Sequence, residues 1–140
     1  MSRTQFCTAI NCMDGRTQLP VIQYLQQRFN VAYVDMITDA GPNRILAEGK
    51  PPERIEAIRK RTDISVTAHG STVIAVVGHV DCAGNPVSDE KQWVHLKQAV
   101  TRIRRWYPEL TVLALWVDDQ WRVREITWPQ EKPVLETLSQ

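Results

Sequence analysis

The sequence lacks the features of a membrane protein and of a nucleic-acid-binding protein. Its apolar runs, such as residues 73–77, fall far short of the roughly 20 residues that a membrane-spanning helix needs. Seventeen Lys and Arg against sixteen Asp and Glu leave a net charge of +1, so no basic surface for phosphates or anionic lipid is indicated. Residues 1–6 lack the apolar segment and cleavage site of a secretory signal. We therefore expect a cytoplasmic protein whose partner is a small molecule.

Cysteine is also scarce, with three residues, Cys7, Cys12 and Cys82. An odd number of cysteines, in a chain long enough to build a sizeable core, argues against a disulfide framework. Reduced thiols or metal ligands are the remaining interpretations, and Cys7 is expected to lie in the core. A length of 140 residues is typical of one domain, so we expect a single domain over residues 1–140.

Apolar runs and helical periodicity alternate along the chain in the order β-α-β-α-β-α-β-β. This order predicts an α/β fold, a Rossmann-like three-layer sandwich whose mostly parallel sheet has four strands plus one antiparallel edge strand. Residues 5–12 and 72–77 are the predicted first and third strands. If the second strand lies beside the first on the side away from the third, the loops after the first and third strands meet at one crevice.

Capping residues and breakers give the expected helix boundaries. Thr17 is predicted to cap the first helix, and Ser88 the amphipathic helix that follows the third strand. Residues 38–43 are expected to form a loop, and residues 51–53 and 62–63 to begin two parts of a broken helix.

All five tryptophans lie in the second half of the chain. Residues 121–127 are predicted to form an antiparallel edge strand, and Trp121 and Trp128 are expected to lie on it. They either fill the core or line a subunit contact, because exposed aromatic patches commonly mark interfaces. His95, on the amphipathic helix, is expected to face water.

Two short motifs supply side chains that can hold a zinc ion. Cys12 ends the first strand, and His79 and Cys82 follow the third. Zn²⁺ favours four tetrahedral ligands from Cys and His, and a site with three protein ligands leaves one position for water. We therefore expect one zinc per chain, held by Cys12, His79 and Cys82. The alternative for Cys12 is a small buried core residue.

Asp14 and Arg16 follow Cys12 directly and form a candidate catalytic pair. In this interpretation Arg16 keeps Asp14 ionised and oriented, and the carboxylate accepts a hydrogen bond from water on the metal. The alternative is a surface ion pair, which contributes little. The phosphate-binding loop of cysteine phosphatases is not matched, since position 18 is Gln.

With Cys-x-Asp-x-Arg after the first strand and Gly-His-x-x-Cys after a later buried strand, the chain resembles the β-class carbonic anhydrases over residues 6–84. The resemblance implies a Rossmann-like sheet and a zinc ion bound by Cys12, His79 and Cys82. It implies that Asp14 and Arg16 form the catalytic dyad, and that the chain forms dimers or larger homo-oligomers with the active sites near the dimer interface.

The resemblance further implies a zinc lyase that reversibly hydrates carbon dioxide to bicarbonate, with zinc generating hydroxide near neutral pH. Two alternatives stay open. The same side chains suit hydrolysis of a related heterocumulene, COS or CS₂, and Asp14 as a fourth ligand would give a non-catalytic zinc or anion-binding module. Ala83 replaces a glycine common in the family, and the family's N-terminal helical arm is not recognised, so a small, divergent member is expected.

Overall fold

The computed structural model describes residues 5–137. The elements, in chain order, are β1 Phe6–Cys12, α1 Gly15–Phe29, β2 Tyr33–Asp39, α2 Pro42–Glu48, α3 Pro52–Ala68, β3 Val73–His79, α4 Asp89–Trp106, β4 Thr111–Val117, β5 Val123–Thr127 and β6 Val134–Thr137. The strands form one sheet in the order β2-β1-β3-β4-β5-β6. The first four strands in this order are parallel, and β5 and β6 are antiparallel. The predicted α/β class with a mostly parallel, Rossmann-like sheet is confirmed.

The number of strands differs from the prediction, because the sheet has six strands within residues 5–137 rather than the predicted five. β5 lies one position in from the edge, and β6 is the antiparallel edge strand. β6 has only four residues, and its place in the sheet is set by pairing with β5, from Thr127 opposite Val134 to Arg124 opposite Thr137. A strand this short has too few residues for a recognisable alternation of apolar and polar positions.

Two apolar clusters lie on opposite faces of the sheet and complete the three layers. One packs α2, α3 and α4 against one face, with Ile10, Ile74 and Leu96 fully buried. The other packs α1 against the opposite face through Val21 and Leu25. β3 is buried along its whole length, as expected for a central parallel strand.

The sheet divides between β1 and β3 at its carboxyl end. These strands pair only from Thr8 to Ile10, opposite Ile74 to Val76. Beyond that point the end of β1 bonds to β2, since Met13 N donates to Asp39 O over 2.8 Å. The end of β3 bonds instead to β4, where Val80 N donates to Val117 O over 3.2 Å. The predicted crevice therefore lies between the first and third strands.

The predicted N-cap of α1 is wrong, whereas the predicted N-cap of α4 is confirmed. Asp14, not Thr17, is the N-cap of α1, since the Asp14 carboxylate accepts a hydrogen bond from Arg16 N. Thr17 lies inside the first turn, where its buried hydroxyl donates to Asp14 O. The prediction for Ser88 is confirmed, because its hydroxyl accepts from Lys91 N at the start of α4.

The crossover between β2 and β3 contains two separate helices. α2 begins at Pro42, inside the segment predicted to be a loop, because a proline is favourable in the first turn of a helix. α3 begins at Pro52 as expected and then continues through residues 62–63, so the predicted second helix start there is wrong. The Thr62 hydroxyl donates to Ile58 O one turn earlier and therefore leaves the helix intact.

Within residues 5–137, no helix is both long enough and apolar enough to span a membrane.

Candidate metal centre

Cys12, His79 and Cys82 come together at the divided end of the sheet. All three side chains are buried, and their possible ligand atoms lie within 4.8 Å of one another. The two sulfur atoms are 3.9 Å apart. Two sulfurs bound at 2.3 Å to a tetrahedral zinc ion lie about 3.8 Å apart. The spacing and the donor types therefore fit zinc.

His79 is held in the form that binds a metal ion. Its Nδ1 lies 2.7 Å from the carbonyl oxygen of Val80, which can only accept, so Nδ1 carries the proton. Nε2 is buried and has no nitrogen or oxygen partner, and the adjoining Cys12 thiolate raises the pKa of His79. A neutral imidazole with its second nitrogen fixed by a carbonyl is the usual arrangement of a histidine metal ligand.

The two thiols have opposite pKa shifts. The pKa of Cys12 is lowered to about 4, chiefly because the Cys82 thiol donates to its thiolate, with His79 and the backbone of Gly41 and Asp14 contributing further hydrogen bonds. The pKa of Cys82 is raised by the adjoining Cys12 thiolate and by burial. The metal-free site thus favours one thiolate, and a metal that binds both sulfurs must displace the proton of Cys82.

Asp14 and Arg16 form a bidentate pair next to this cluster. Arg16 Nε lies 3.0 Å from Asp14 Oδ1, and Nη2 lies 2.7 Å from Oδ2. This hydrogen bonding is the largest cause that lowers the pKa of Asp14, to about 2. Asp14 is therefore an ionised acceptor throughout the neutral range. Among the described residues, the cluster of possible metal ligands does not include Asp14.

The outer side of Arg16 contacts two further loops. Its Nη1 lies 3.4 Å from Asp81 Oδ2, and its Nη2 lies 3.3 Å from the backbone oxygen of Asp81. The guanidinium carbon lies 4.6 Å from the ring centroid of Trp121, a cation–π distance.

A chain of buried amides joins the end of β3 at His79 to the start of α2. Gln92, on α4, donates through Nε2 to the backbone oxygen of His79 over 2.7 Å. Its Oε1 accepts from Asn43 Nδ2 over 3.0 Å, and Asn43 Oδ1 accepts from Asn85 Nδ2 over 3.3 Å. Asn85 Nδ2 also lies 2.9 Å from Nδ1 of His95. All these side chains are buried.

The His79 carbonyl fixes the direction of every bond in this chain. A carbonyl oxygen only accepts, so Gln92 must present its NH₂ there and its oxygen to Asn43. Asn43 then presents its oxygen to Asn85, whose NH₂ faces His95. His95 Nδ1 is consequently an acceptor, and its proton lies on Nε2. Burial lowers the pKa of His95, in accord with a neutral ring.

Glycines allow the two loops to approach at backbone distance. A Cβ on Gly84 would lie 2.4 Å from the backbone carbon of Ala40, and one on Gly41 would lie 2.7 Å from the backbone carbon of Gly84. Gly41 has a φ of +61°, which glycine adopts without strain. The loop after β2 therefore packs directly against the loop that carries Cys82.

Several sequence interpretations away from the ligands need correction. His95 is buried rather than facing water. Trp121 lies in the turn before β5, and Trp128 follows β5, so neither lies on the edge strand of the sheet. Trp128 packs against the cluster around α4. Cys7 lies fully buried in the core as predicted, and burial raises the pKa of its thiol to about 12.

The amide chain was missed because sequence reasoning treated its members singly. Gln92 carried the one usable signal, a polar residue one helical turn before Leu96 on the apolar side of an amphipathic helix. Asn43 lies at the start of α2, in a segment that the sequence predicts as a loop, and Asn85 lies in a loop, where asparagine is common for local reasons.

Comparison with known families identifies the chain. A family model described as "Putative carbonic anhydrase" matches residues 2–127. The chain belongs to this family. No curated protein shows significant similarity to it.

Solved carbonic anhydrase structures share the fold. The carbonic anhydrase of Streptococcus mutans superposes with a TM-score of 0.59 at 17% identity, covering 87% of this chain and 81% of that one. The β-carbonic anhydrase CcaA gives a TM-score of 0.60 at 14% identity, covering 95% and 85%. One of two tetrameric β-carbonic anhydrases from Sordaria macrospora gives 0.50 at 12% identity, covering 96% and 84%. These similarities show a β-carbonic anhydrase fold in this member of the family.

Proposed function

We propose that the chain reversibly hydrates carbon dioxide to bicarbonate, with one zinc ion per chain bound by Cys12, His79 and Cys82. The observation that carries this proposal is the meeting of three buried Cys and His donors at zinc spacing, beside a carboxylate that lies outside their cluster. Family membership supports carbonic anhydrase chemistry in general. Three protein donors suit a catalytic site, because a closed structural zinc site has four.

When bound, zinc would supply a Lewis acid that lowers the pKa of water at the open position. The Cys12 and Cys82 thiolates would neutralise the charge of the ion, and the hydrogen bond to Val80 O orients His79 towards the site. Because this site has two thiolates, we expect a smaller acidification of the water than in a site with three histidines.

Asp14 and Arg16 act on the attacking water. The Asp14 carboxylate accepts a hydrogen bond from it, so that a lone pair of the water oxygen points towards the carbon of the substrate. Arg16 keeps the carboxylate ionised and fixes its plane through two hydrogen bonds. This bidentate pairing opposes the alternative in which Asp14 turns to close the metal site.

We also propose that the protein works as a homo-oligomer. Met13 directly follows Cys12, and Leu19 lies near the start of α1, with exposed fractions of 65% and 61%. Large apolar side chains at this exposure suit burial against a second copy. Light scattering on purified protein would test this, and a monomer at micromolar concentration would contradict it.

Metal analysis combined with stopped-flow CO₂ hydration tests the proposed function. We expect one zinc per chain and a rate that rises from pH 7 to pH 9. Cys82→Ser should lose the zinc, because a hydroxyl is a poor substitute for a thiolate. Asp14→Ala should keep the zinc and lose about 100-fold in rate. Cys7→Ala is the matched cysteine control and should keep both.

Three outcomes separate the alternatives. Zinc at full stoichiometry with no turnover of CO₂ or COS would identify a non-catalytic module. Turnover of COS or CS₂ without CO₂ hydration would identify a heterocumulene hydrolase. Full zinc content in Cys82→Ser would show that the ligand set is wrong.

A further inference from the structure

Unusual backbone conformations concentrate around Arg16. Among the described residues, the non-glycine residues with positive φ are Asn30, Asp81 at 54° and Trp121 at 59°. Asparagine and aspartate tolerate this left-handed region, but for a bulky aromatic residue it is a genuine outlier. Asp81 and Trp121 both contact the Arg16 side chain.

The turn that contains Trp121 does not itself need a tryptophan. Asp118 holds this turn, because its backbone oxygen accepts from Trp121 N over 2.9 Å and its carboxylate accepts from Gln120 N and Arg122 N. None of these bonds uses the Trp121 ring. A glycine or asparagine would satisfy the same turn with less strain.

The ring of Trp121 is instead placed for two contacts. It is half-buried against the cluster around α1, and its outer contact is the guanidinium of Arg16. Strained backbone persists only where the surroundings over-determine it, and it is enriched at functional sites.

Contacts from three separate loops meet on this one guanidinium. Asp14, after β1, accepts hydrogen bonds from Nε and Nη2 of Arg16, and Asp81, after β3, lies near its Nη1. The Trp121 ring, after β4, makes the cation–π contact. An arginine that is 47% exposed has many alternative rotamers, and the ring restricts them.

We infer that Trp121 is a positioning residue for the Asp14–Arg16 pair, with Asp81 as a weaker second contact. The ring keeps the guanidinium in the plane that the Asp14 carboxylate requires. The effect on turnover rests on the proposed function, whereas the effect on Arg16 does not.

Three substitutions at position 121 separate the ring from the backbone. In the zinc-loaded protein, Trp121→Ala and Trp121→Gly should lower kcat for CO₂ hydration about tenfold, with little change in KM or zinc content. Trp121→Phe keeps an aromatic face and should stay within about threefold of the wild type. Trp121→Gly should melt at a higher temperature than Trp121→Ala, the reverse of the usual order, because of the positive φ.

NMR of the Arg16 Nε–H group gives a readout that does not depend on turnover. In the wild type, we expect slow exchange with water and a ring-current shift from Trp121. Trp121→Ala should raise the exchange rate about tenfold and abolish the shift. Trp128→Ala is the matched control, since this half-buried tryptophan packs around α4, and it should leave the Arg16 signal unchanged.

Each outcome is decisive. An unchanged Arg16 signal in both Trp121→Ala and Trp121→Gly would overturn the inference, even if these variants melted earlier. If Trp121→Ala does not fold, Trp121→Gly carries the same test with the backbone strain removed. A wild type that does not hydrate CO₂, combined with an Arg16 signal that responds to Trp121, would refute the proposed function and support the positioning role.

Discussion

Gln92→Leu tests how far the metal centre depends on the buried amide chain. The Gln92 side chain is 1% exposed, donates to His79 O and accepts from Asn43 Nδ2. Leucine has a similar volume but can make neither bond. The His79 carbonyl would then lose this buried donor, and the Asn43 amide would lose its buried acceptor.

The expected loss of stability follows from these two groups. A buried polar group left unsatisfied costs about 1–3 kcal/mol. The greater apolar burial of leucine offsets about 1 kcal/mol. We therefore expect Gln92→Leu to lower the free energy of unfolding by about 1–5 kcal/mol. For a domain of this size, that corresponds to a fall in Tm of about 3–15 °C.

Thermal unfolding followed by circular dichroism is the assay, with Gln98→Leu as the matched control. Gln98 lies on the same helix and is exposed, so the same chemical change there should alter the stability by less than about 0.5 kcal/mol. Chelator competition should also show zinc affinity reduced about tenfold in Gln92→Leu, because the loop that carries His79 loses its anchor to α4. A Gln92→Leu protein as stable as Gln98→Leu would refute this reasoning.

Further predictions concern the loops, a histidine and the spare thiol. Gly84→Ala places a Cβ against the backbone of Ala40 and should lower stability by about 1–3 kcal/mol in urea unfolding, whereas no change would contradict the observed packing. Burial lowers the pKa of His95, so the unfolded chain binds the proton more readily than the folded protein does. The contribution of His95 to stability should therefore be present above about pH 6.5 and lost as the pH falls below that value. The stability advantage of the wild type over His95→Gln should accordingly shrink between pH 7.5 and pH 5.5, and a constant difference would argue against a neutral ring. Cys7 should resist thiol reagents until the protein unfolds, as mass spectrometry of the labelled protein can show.

The meeting of the three proposed ligands was predictable because their positions depend on strand ends. Cys12 and His79 each end a strand whose apolar run is plain in the sequence, and parallel strands bring their carboxyl ends to one edge. Cys82 follows His79 closely enough for one turn to present both. The strand order, with β1 between β2 and β3, brings the ends of β1 and β3 to one crevice.

Other parts of the molecule depend on contacts that local pattern does not encode. β6 exists because β5 offers it a partner, and the burial of His95 depends on which side of α4 faces α2. Asp14 caps α1 because its carboxylate accepts from Arg16 N, which Thr17, three residues after Asp14, does not do. Trp121 has a left-handed backbone conformation, which bulky aromatic residues rarely adopt. Residue preferences therefore predict a negative φ at this position.

The parting of β1 from β3 has a mechanical consequence for the whole sheet. At that end no ladder bond joins the half containing β2 and β1 to the half containing β3 and β4. A zinc ion on Cys12, His79 and Cys82 would be a covalent-strength link across the gap. Removal of the zinc should accelerate amide exchange at Met13 and Val80 while leaving Ala9 and Ala75 protected. The sheet would then open locally, at the carboxyl ends of β1 and β3 only.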